Sequence, residues 1–343
     1  MKKWLIAVAI AIVGGGSAGA SLLINGAGAT FPFPLYSKWF AEHHARHPEY
    51  SFNYQSIGSG GGIKQITEHT VDFGASDAPM TDAEIAKAPG VVHVPTVLGA
   101  VVVTYNAPIA GLKLTPETLA GLFLGTITKW NDPAIARDNP GQSLPDTAVA
   151  VIHRSDGSGT TAIFTDYLAK VSPAWRSKVG AGKSVKWPSG LGAKGNEGVT
   201  GLVKSTPGAL GYVELAYANQ NGLAMAALRN HDGAFVKPSI ESTSAAAAGV
   251  EMPPDFRVSI TDAAGRNAYP IASFTYLLVY QDQPDGAKGE ALVKFLWWAI
   301  HQGQSLAPAL DYAPLPGPVV AKVEKKIEAL TVKGKPVSLA SPR

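Results

Sequence analysis

Short strand-forming segments alternate with helix-forming segments along most of this chain, and this alternation limits the possible folds more than any other feature. Residues 22–25 and 51–55 are strand-like, and each is followed by a loop and a helical stretch, at 34–47 and 63–70. Further strand-like segments recur at 72–76, 148–153 and 208–214. Repeated strand–loop–helix units predict an α/β fold.

Two longer runs, 91–105 and 269–281, are rich in strand-forming residues. The chain has 343 residues, which is enough for roughly two domains. We therefore expect each run to carry the chain from one domain to the other. Amphipathic helices are predicted at 288–301 and 319–330, whereas the alanine-rich stretch 242–250 is predicted to be a plain surface element.

The first twenty residues have the organisation of a secretory signal peptide. Two lysines precede an apolar run at 4–13, and the small residues Ala18-Gly19-Ala20 form a cleavage site. An uncleaved anchor is the alternative, but glycines at 14–16 interrupt the run well short of the ~20 residues that a span needs. We expect cleavage near Ala20 and export of residues 21–343.

Composition excludes several classes of function. Residues 1–20 carry two lysines and no acidic residue, so their removal would lower the formal charge from +3 to +1. A nearly neutral protein lacks the basic surface that nucleic acid requires. The sequence has no cysteine, which excludes disulfides, thiolate metal sites, a cysteine nucleophile and a lipidated N-terminal cysteine.

Four loops rich in glycine, serine and threonine follow predicted strands, and three of them lead directly into helices. Glycines allow close backbone approach, hydroxyl groups are neutral donors, and helix N-termini favour anions. Any single loop of this kind is more often an ordinary helix N-cap. Together, with one arginine and one aspartate among them, they predict a site for a tetrahedral oxyanion. The loops are residues 26–31, 57–62, 74–77 and 154–160.

Six segments resemble the Pst-type periplasmic phosphate-binding proteins of bacterial ABC importers, and the similarity extends over nearly the whole exported chain except 242–250. These segments are GAGATFPFPLYSKW, NYQSIGSGGGIKQI, TVDFGASDAPMT, RSDGSGTTAIFTDYLAKV, VKWPSGLGAKGNEG and PGALGYVELAYA. The resemblance implies capture of inorganic phosphate in the periplasm and delivery to the permease subunits of the importer. It also implies a monomer without cofactor, metal or catalytic residue.

The resemblance further implies a two-lobed periplasmic binding protein, type II-like, with the ligand in a cleft between lobes joined by two crossing segments. Lobe I would comprise 21–98 and 274–343, and lobe II would comprise 99–273. A bound ligand would favour closure of the lobes by a hinge motion. The phosphate-binding groups implied by the family are Thr30, the backbone N–H of Phe31, Ser59, Asp77, Arg154, Ser158, the backbone N–H of Gly159 and Thr160.

Two acidic residues have a specific expected role in this site. Asp77 would accept the proton that phosphate retains near neutral pH, and so exclude sulfate, which has none. The alternative is that Asp77 caps the following turn. Asp156 is expected to pair with Arg154 and orient it, unless it caps the helix that begins near Ser158.

Other functions agree less well with the sequence. A secreted phosphatase or other phosphate-ester hydrolase would need a base, for which His153 is the candidate, although a packed or solvated histidine is the simpler interpretation. A metal site at His43, His44 and His47 is less consistent with the sequence than a solvated helix end. Among binding proteins, arsenate and sulfate are the competing ligands, and arsenate also carries a proton.

Overall fold

The computed structural model describes residues 21–339, so the predicted signal peptide at 1–20 lies outside the described residues. Helices and strands alternate along the chain, which confirms the predicted α/β class. The strands are β1 Leu22–Gly28, β2 Tyr50–Ser56, β3 Phe73–Ser76, β4 Val91–Asn106, β5 Lys113–Leu114, β6 Ala150–Arg154, β7 Leu191–Ala193, β8 Ala209–Glu214, β9 Ala224–Met225, β10 Ala227–Arg229, β11 Phe235–Val236, β12 Ala272–Tyr280, β13 Asp282–Gln283, β14 Thr331–Val332 and β15 Lys335–Pro336. The α-helices are α1 Phe33–Arg46, α2 Ser59–Thr67, α3 Asp82–Lys87, α4 Pro116–Leu124, α5 Pro133–Asp138, α6 Gly159–Val171, α7 Pro173–Lys178, α8 Gly195–Ser205, α9 Leu215–Gln220, α10 Ile240–Ala247, α11 Gly286–Ile300 and α12 Gly317–Glu328.

The largest sheet has the strand order β2-β1-β3-β12-β4-β8-β6-β7, with β9 also paired to β4. Strands β1, β2 and β3 are parallel to one another, as are β6, β7 and β8. Between these two groups, β12 runs antiparallel to β3 and β4, and β4 runs antiparallel to β8. In open sheets of this kind ligands bind beyond the carboxyl ends of parallel strands, where most of the predicted loops lie.

The two long strand-forming runs form the middle of this sheet. In β4, residues 91–100 pair with β12, whereas residues 101–106 pair with β8. One continuous strand thus connects the first parallel group to the second. The pairing of β4 with β12 shifts register between Thr275 and Tyr276, which is the kind of irregularity that often redirects side chains beside a functional site.

Helix α2 begins four residues earlier than predicted. Helix α2 starts at Ser59, so the glycines at 60–62 form its first turn and not a loop. A Cβ at Gly62 would lie 2.6 Å from the Cα atom of Gly28 and 2.6 Å from the carbonyl oxygen of Ala75. The glycines therefore allow α2 to pack directly on β1 and β3.

The prediction of a plain surface element at 242–250 is wrong. Residues 240–247 form α10, whose Thr243, Ala246 and Ala247 are buried and which packs on β4 and β12. Alanine has the highest helix propensity, and its small side chain allows a helix to approach a sheet closely. Ser239 caps this helix, because its side chain accepts a hydrogen bond from the backbone N–H of Ser242.

The histidines of α1 are not uniformly solvated, so that prediction is wrong for His43. Its side chain is buried among aromatic rings, including Phe52 and Phe295, and burial lowers its pKa to about 4. His44 and His47 are exposed. Across residues 21–339, no cluster of three or more potential metal ligands is present, and no helix has the length and apolarity needed to cross a membrane.

Candidate functional site

The predicted loops converge at the carboxyl ends of the parallel strands. Thr30 follows β1, Ser59 follows β2, and Asp77 follows β3. From the other strand group, Arg154 ends β6, and Ser158 is the N-cap of α6, where its Oγ accepts a hydrogen bond from a backbone N–H. All five residues are buried, which places polar groups from distant parts of the chain in one enclosed region.

Contacts between the two strand groups are direct at this point. The backbone N–H of Gly159 donates a hydrogen bond to Ser59 Oγ (3.1 Å), and the N–H of Gly60 donates to the carbonyl oxygen of Gly157 (2.8 Å). A Cβ at Gly159 would lie 2.4 Å from Ser59 Oγ and 2.6 Å from Asp77 Oδ2. Only glycine permits this approach of α6 to the other group.

Asp77 is fully enclosed and surrounded by hydroxyl donors. Thr275 Oγ1 donates to Asp77 Oδ1 (2.9 Å), and Ser59 Oγ lies 3.4 Å from Oδ2. Burial raises the pKa of Asp77 to about 7, although the hydrogen bond from Thr275 and the charge of Arg154 oppose this rise. Because the carboxyl group titrates near neutral pH, it can accept a proton from a ligand at little cost.

Arg154 is held by Asp156 through two parallel hydrogen bonds. Nε donates to Asp156 Oδ1 (2.7 Å), and Nη2 donates to Oδ2 (2.5 Å). Burial alone would raise the pKa of Asp156, but the hydrogen bonds and charge of Arg154 lower it below its usual value. The Arg154 side chain is 1% exposed, so this pairing compensates a charge that would be costly alone. Since Ser158 caps α6, Asp156 does not serve as its N-cap.

The remaining predicted residues lie beside these groups. Thr160 Oγ1 accepts a hydrogen bond from Arg154 Nη1 (3.3 Å). Phe31 is buried in the turn before α1, where its carbonyl oxygen accepts a hydrogen bond from the hydroxyl of Tyr312 (2.6 Å). The structure therefore brings all eight predicted ligand residues to one region, which combines several hydroxyl donors, one guanidinium group and one carboxyl group.

Three residues of this region were not predicted from the sequence. Asn196, in the first turn of α8, donates from Nδ2 to Thr30 Oγ1 (2.7 Å), and the Tyr217 hydroxyl donates to the carbonyl oxygen of Thr30 (2.6 Å). Thr275 is the third. The Gly-Asn pair at a helix start resembles the other loops and could have indicated Asn196. Nothing in the β12 sequence singles out Thr275.

Ion pairs connect helix α3 to distant loops near Asp77. Lys183 Nζ lies 2.9 Å from Glu84 Oε2, and Arg257 Nη1 lies 2.6 Å from Asp82 Oδ1. Both basic side chains line a cavity of about 370 Å³ that also contacts Asp77. The pairs therefore lie at the edge of the cavity beside Asp77. We call them the rim pairs.

His153, the candidate base of a hydrolase, lies outside this arrangement. Its ring stacks on Trp187 with centroids 4.7 Å apart, and its Nδ1 donates to the carbonyl oxygen of Arg154 (3.0 Å). Ser59 Oγ accepts hydrogen bonds from the backbone N–H groups of Asp77 and Gly159, and Ser158 Oγ caps α6. In the described part of the chain neither serine hydroxyl is hydrogen-bonded to a histidine, and the carboxyl group beside Ser59 Oγ is that of Asp77 (3.4 Å).

Comparison with known proteins gives consistent matches over most of the chain. A PBP superfamily domain matches residues 15–300. Among curated relatives, the phosphate-binding protein PstS of Xylella fastidiosa (strain Temecula1) is 47% identical over 309 residues, 89% of this chain and 84% of that protein. PstS of Pasteurella multocida is 48% identical over 88% of each chain, and PstS of Methanocaldococcus jannaschii is 40% identical over 89% of this chain and 87% of its own.

Solved structures show the same fold. A phosphate-binding protein from Stenotrophomonas maltophilia has a TM-score of 0.72 at 20% identity, covering 89% of this chain and 94% of that chain. A high-affinity periplasmic phosphate-binding protein bound with phosphate also has a TM-score of 0.72, at 22% identity, covering 89% of this chain and 93% of that chain. At these identities the likeness concerns the fold, and it confirms the predicted two-lobed binding-protein architecture.

Proposed function

The chain belongs to the PBP superfamily and, within it, to the family of the PstS phosphate-binding proteins, and on that premise we propose that it captures inorganic phosphate for a phosphate ABC importer. One observation carries the proposal. A carboxyl group that titrates near pH 7 lies among hydroxyl donors and beside a buried guanidinium group. This combination suits an oxyanion that carries a proton.

In the proposed complex, phosphate lies between the two strand groups and contacts both. The hydroxyl groups and Arg154 donate hydrogen bonds to the ligand oxygens, and the backbone N–H groups at two helix starts add further donors. The proposed ligands are Thr30, the N–H of Phe31, Ser59, Asp77, Arg154, Ser158, the N–H of Gly159 and Thr160, with Asp156 orienting Arg154.

Asp77 determines selectivity in this proposal. Phosphate near neutral pH keeps a proton that Asp77 accepts, whereas sulfate would place an unprotonated oxygen against a buried acceptor. Sites that depend on one matched hydrogen bond reject the analogue without it by ~10⁴–10⁵-fold. Arsenate carries the same proton and is expected to bind.

The proposed transport cycle depends on hinge closure. Lobe I (21–98 and 274–343) supplies Thr30, Ser59 and Asp77, and lobe II (99–273) supplies Arg154, Ser158 and Thr160, so the ligand favours the closed state. We further propose a periplasmic monomer, exported after cleavage near Ala20, that docks on the permease subunits. The curated relatives are named as binding proteins and not as enzymes, which supports a transport role over a hydrolase.

Isothermal titration calorimetry of residues 21–343 with phosphate, arsenate and sulfate tests the proposal. We expect one phosphate per chain, binding of arsenate and no detectable heat from sulfate. In Asp77→Asn the preference for phosphate over sulfate should fall by at least about tenfold. Equal binding of phosphate and sulfate by the wild-type protein would contradict the proposed function.

A further inference from the structure

Helix α12 and the segment 251–256 enclose a groove of about 710 Å³, which shares no lining residue with the proposed phosphate site. The buried side chains of Met252 and Phe256 contribute its apolar lining, together with two prolines at 253 and 254. The lining residues from α12 are Lys322, Lys325, Lys326 and Ala329. The groove thus has one apolar side and one basic side.

The basic side follows from the spacing of residues along α12. Positions 322, 325, 326 and 329 are three or four residues apart and so lie on one face of the helix. The acidic residues Glu324 and Glu328 lie on other faces, and neither lines the groove. Glu324 Oε1 accepts a hydrogen bond from His301 Nε2 (2.8 Å). The helix therefore keeps its negative charges away from the groove.

The three lysines keep their charge available for a partner. Within residues 21–339, the ion pair of α12 is that of Glu324 with His301, and no lysine of the groove forms one. Glu251 is the one acidic residue of the lining, so three lysines against one glutamate give a formal charge of +2. Residues 21–343 are nearly neutral as a whole, so this positive charge is a local feature.

Two contacts across the groove join parts of the chain that belong to different proposed lobes. Lys322 Nζ donates to the carbonyl oxygen of Met252 (2.6 Å), and Lys326 Nζ lies 5.9 Å from the centre of the Phe256 ring. Helix α12 belongs to the proposed lobe I, whereas the segment 251–256 belongs to the proposed lobe II. A partner in the groove would therefore contact both lobes at once.

We propose that this groove binds an acidic segment of the importer's permease that also carries an apolar side chain. The inference rests on the proposed function in phosphate import, which supplies the permease as the partner. Carboxylates of the segment would pair with the lysines, and its apolar side chain would pack on the lining from 252–256. Complementary charges of this kind accelerate the encounter of two proteins and orient them.

The shape of the groove favours a protein segment over anionic lipid headgroups. A membrane surface is nearly flat, so it contacts basic residues that project from a protein. Met252 and Phe256 are buried, and only a side chain that enters the groove would reach them.

Stimulation of the importer's ATPase tests the proposal. Permease and ATPase subunits from the same organism are reconstituted in phosphatidylcholine vesicles, and phosphate-loaded protein is added at increasing concentration. In Lys325→Glu the concentration for half-maximal stimulation should rise about three- to tenfold, because the reversed charge repels the acidic segment. Added salt should weaken stimulation by the wild type more than stimulation by the variant.

Lys204→Glu is the matched control. Lys204 is exposed like Lys325 and also lies in the last turn of its helix, α8, but outside the groove. Its half-maximal concentration should equal that of the wild type. Calorimetry should give the same phosphate affinity for the wild type and both variants, which would show that all three are folded and that the effect does not arise at the phosphate site.

A cross-link tests the contact directly. Because the sequence has no cysteine, Lys325→Cys introduces a single thiol that can be labelled with a photoactivatable maleimide. Illumination of the loaded protein together with the importer should join it to a permease subunit. The same label on Lys204→Cys should give no such product.

The possible results separate the inference from the function on which it rests. A wild-type protein that does not bind phosphate, or does not stimulate the importer, would overturn the proposed function. A functional wild type with an unchanged half-maximal concentration in Lys325→Glu, or with no cross-link from Lys325→Cys, would overturn the groove as the docking site. Sedimentation of the wild type, but not of Lys325→Glu, with phosphatidylglycerol vesicles that lack the importer would overturn it in favour of a membrane contact.

Discussion

Replacement of Asp77 by asparagine should stabilise the phosphate-free protein strongly at about pH 8 and much less at about pH 5. The Asp77 carboxyl has a usual pKa of 3.8, which burial raises to about 7 in the folded protein. Between these values the folded state binds more protons than the unfolded state, so the free energy of unfolding decreases as the pH rises through this window. Above about pH 7 the full cost of the buried charge is present.

The size of this effect follows from the two pKa values. Each pKa unit corresponds to about 1.36 kcal/mol, so the charged carboxyl costs the wild type about 4 kcal/mol at pH 8. At pH 5 the cost is about 2 kcal/mol by the same conversion. The asparagine side chain of the variant has no charge to bury, so the variant should gain approximately these amounts. The hydrogen bond from Thr275 to the side-chain oxygen can persist in the variant.

Urea unfolding followed by tryptophan fluorescence measures the free energies. Three of the seven tryptophans, Trp39, Trp130 and Trp175, are fully buried and report on the core. Bound phosphate is removed beforehand by unfolding and refolding in phosphate-free buffer. Asp146→Asn is the control, since the hydrogen bond from Lys129 lowers the pKa of this exposed carboxyl and it does not titrate between pH 5 and 8. A gain for Asp77→Asn that is equal at both pH values would show that the buried charge of Asp77 does not cause it.

Two further variants test the closed arrangement. Gly159→Ala should lower phosphate affinity by about tenfold to a hundredfold in calorimetry, because its Cβ would lie 2.4 Å from Ser59 Oγ. Gly201→Ala, which has open space around its Cβ, should leave the affinity unchanged. Equal affinities of the two variants would show that the close contact of Gly159 with Ser59 does not matter for binding. Lys183→Met removes one rim pair and should accelerate phosphate release about two- to fivefold in stopped-flow fluorescence, whereas Lys129→Met, which breaks an exposed pair, should not. An unchanged release rate in Lys183→Met would show that this rim pair does not slow phosphate release.

Local signals in the sequence were sufficient to predict most elements near the site. The strands before the four loops lie within three residues of their predicted positions. These features depend on neighbouring residues: glycines for close approach, hydroxyls for caps and β-branched residues for strands. The pairing of Arg154 with Asp156 is similarly local.

Features that depend on tertiary packing could not be predicted in this way. Thr275 reaches Asp77 because β12 lies beside β3 and shifts its register against β4, and no pattern within β12 indicates this. The burial of α10 and of His43 depends on surfaces supplied by other segments. The position of Asn196 in the site is evident only from its hydrogen bonds to Thr30 and Thr160.

In the proposed complex, groups from both halves of the chain enclose one protonated oxyanion at Asp77. A crystal structure of residues 21–343 grown with phosphate would show whether they do. We expect phosphate oxygens within hydrogen-bonding distance, about 3 Å, of Asp77, Arg154 and the Thr30 hydroxyl at the same time. Phosphate found only at surface lysines, with Asp77 and Arg154 contacting no ligand, would rule out this mode of binding.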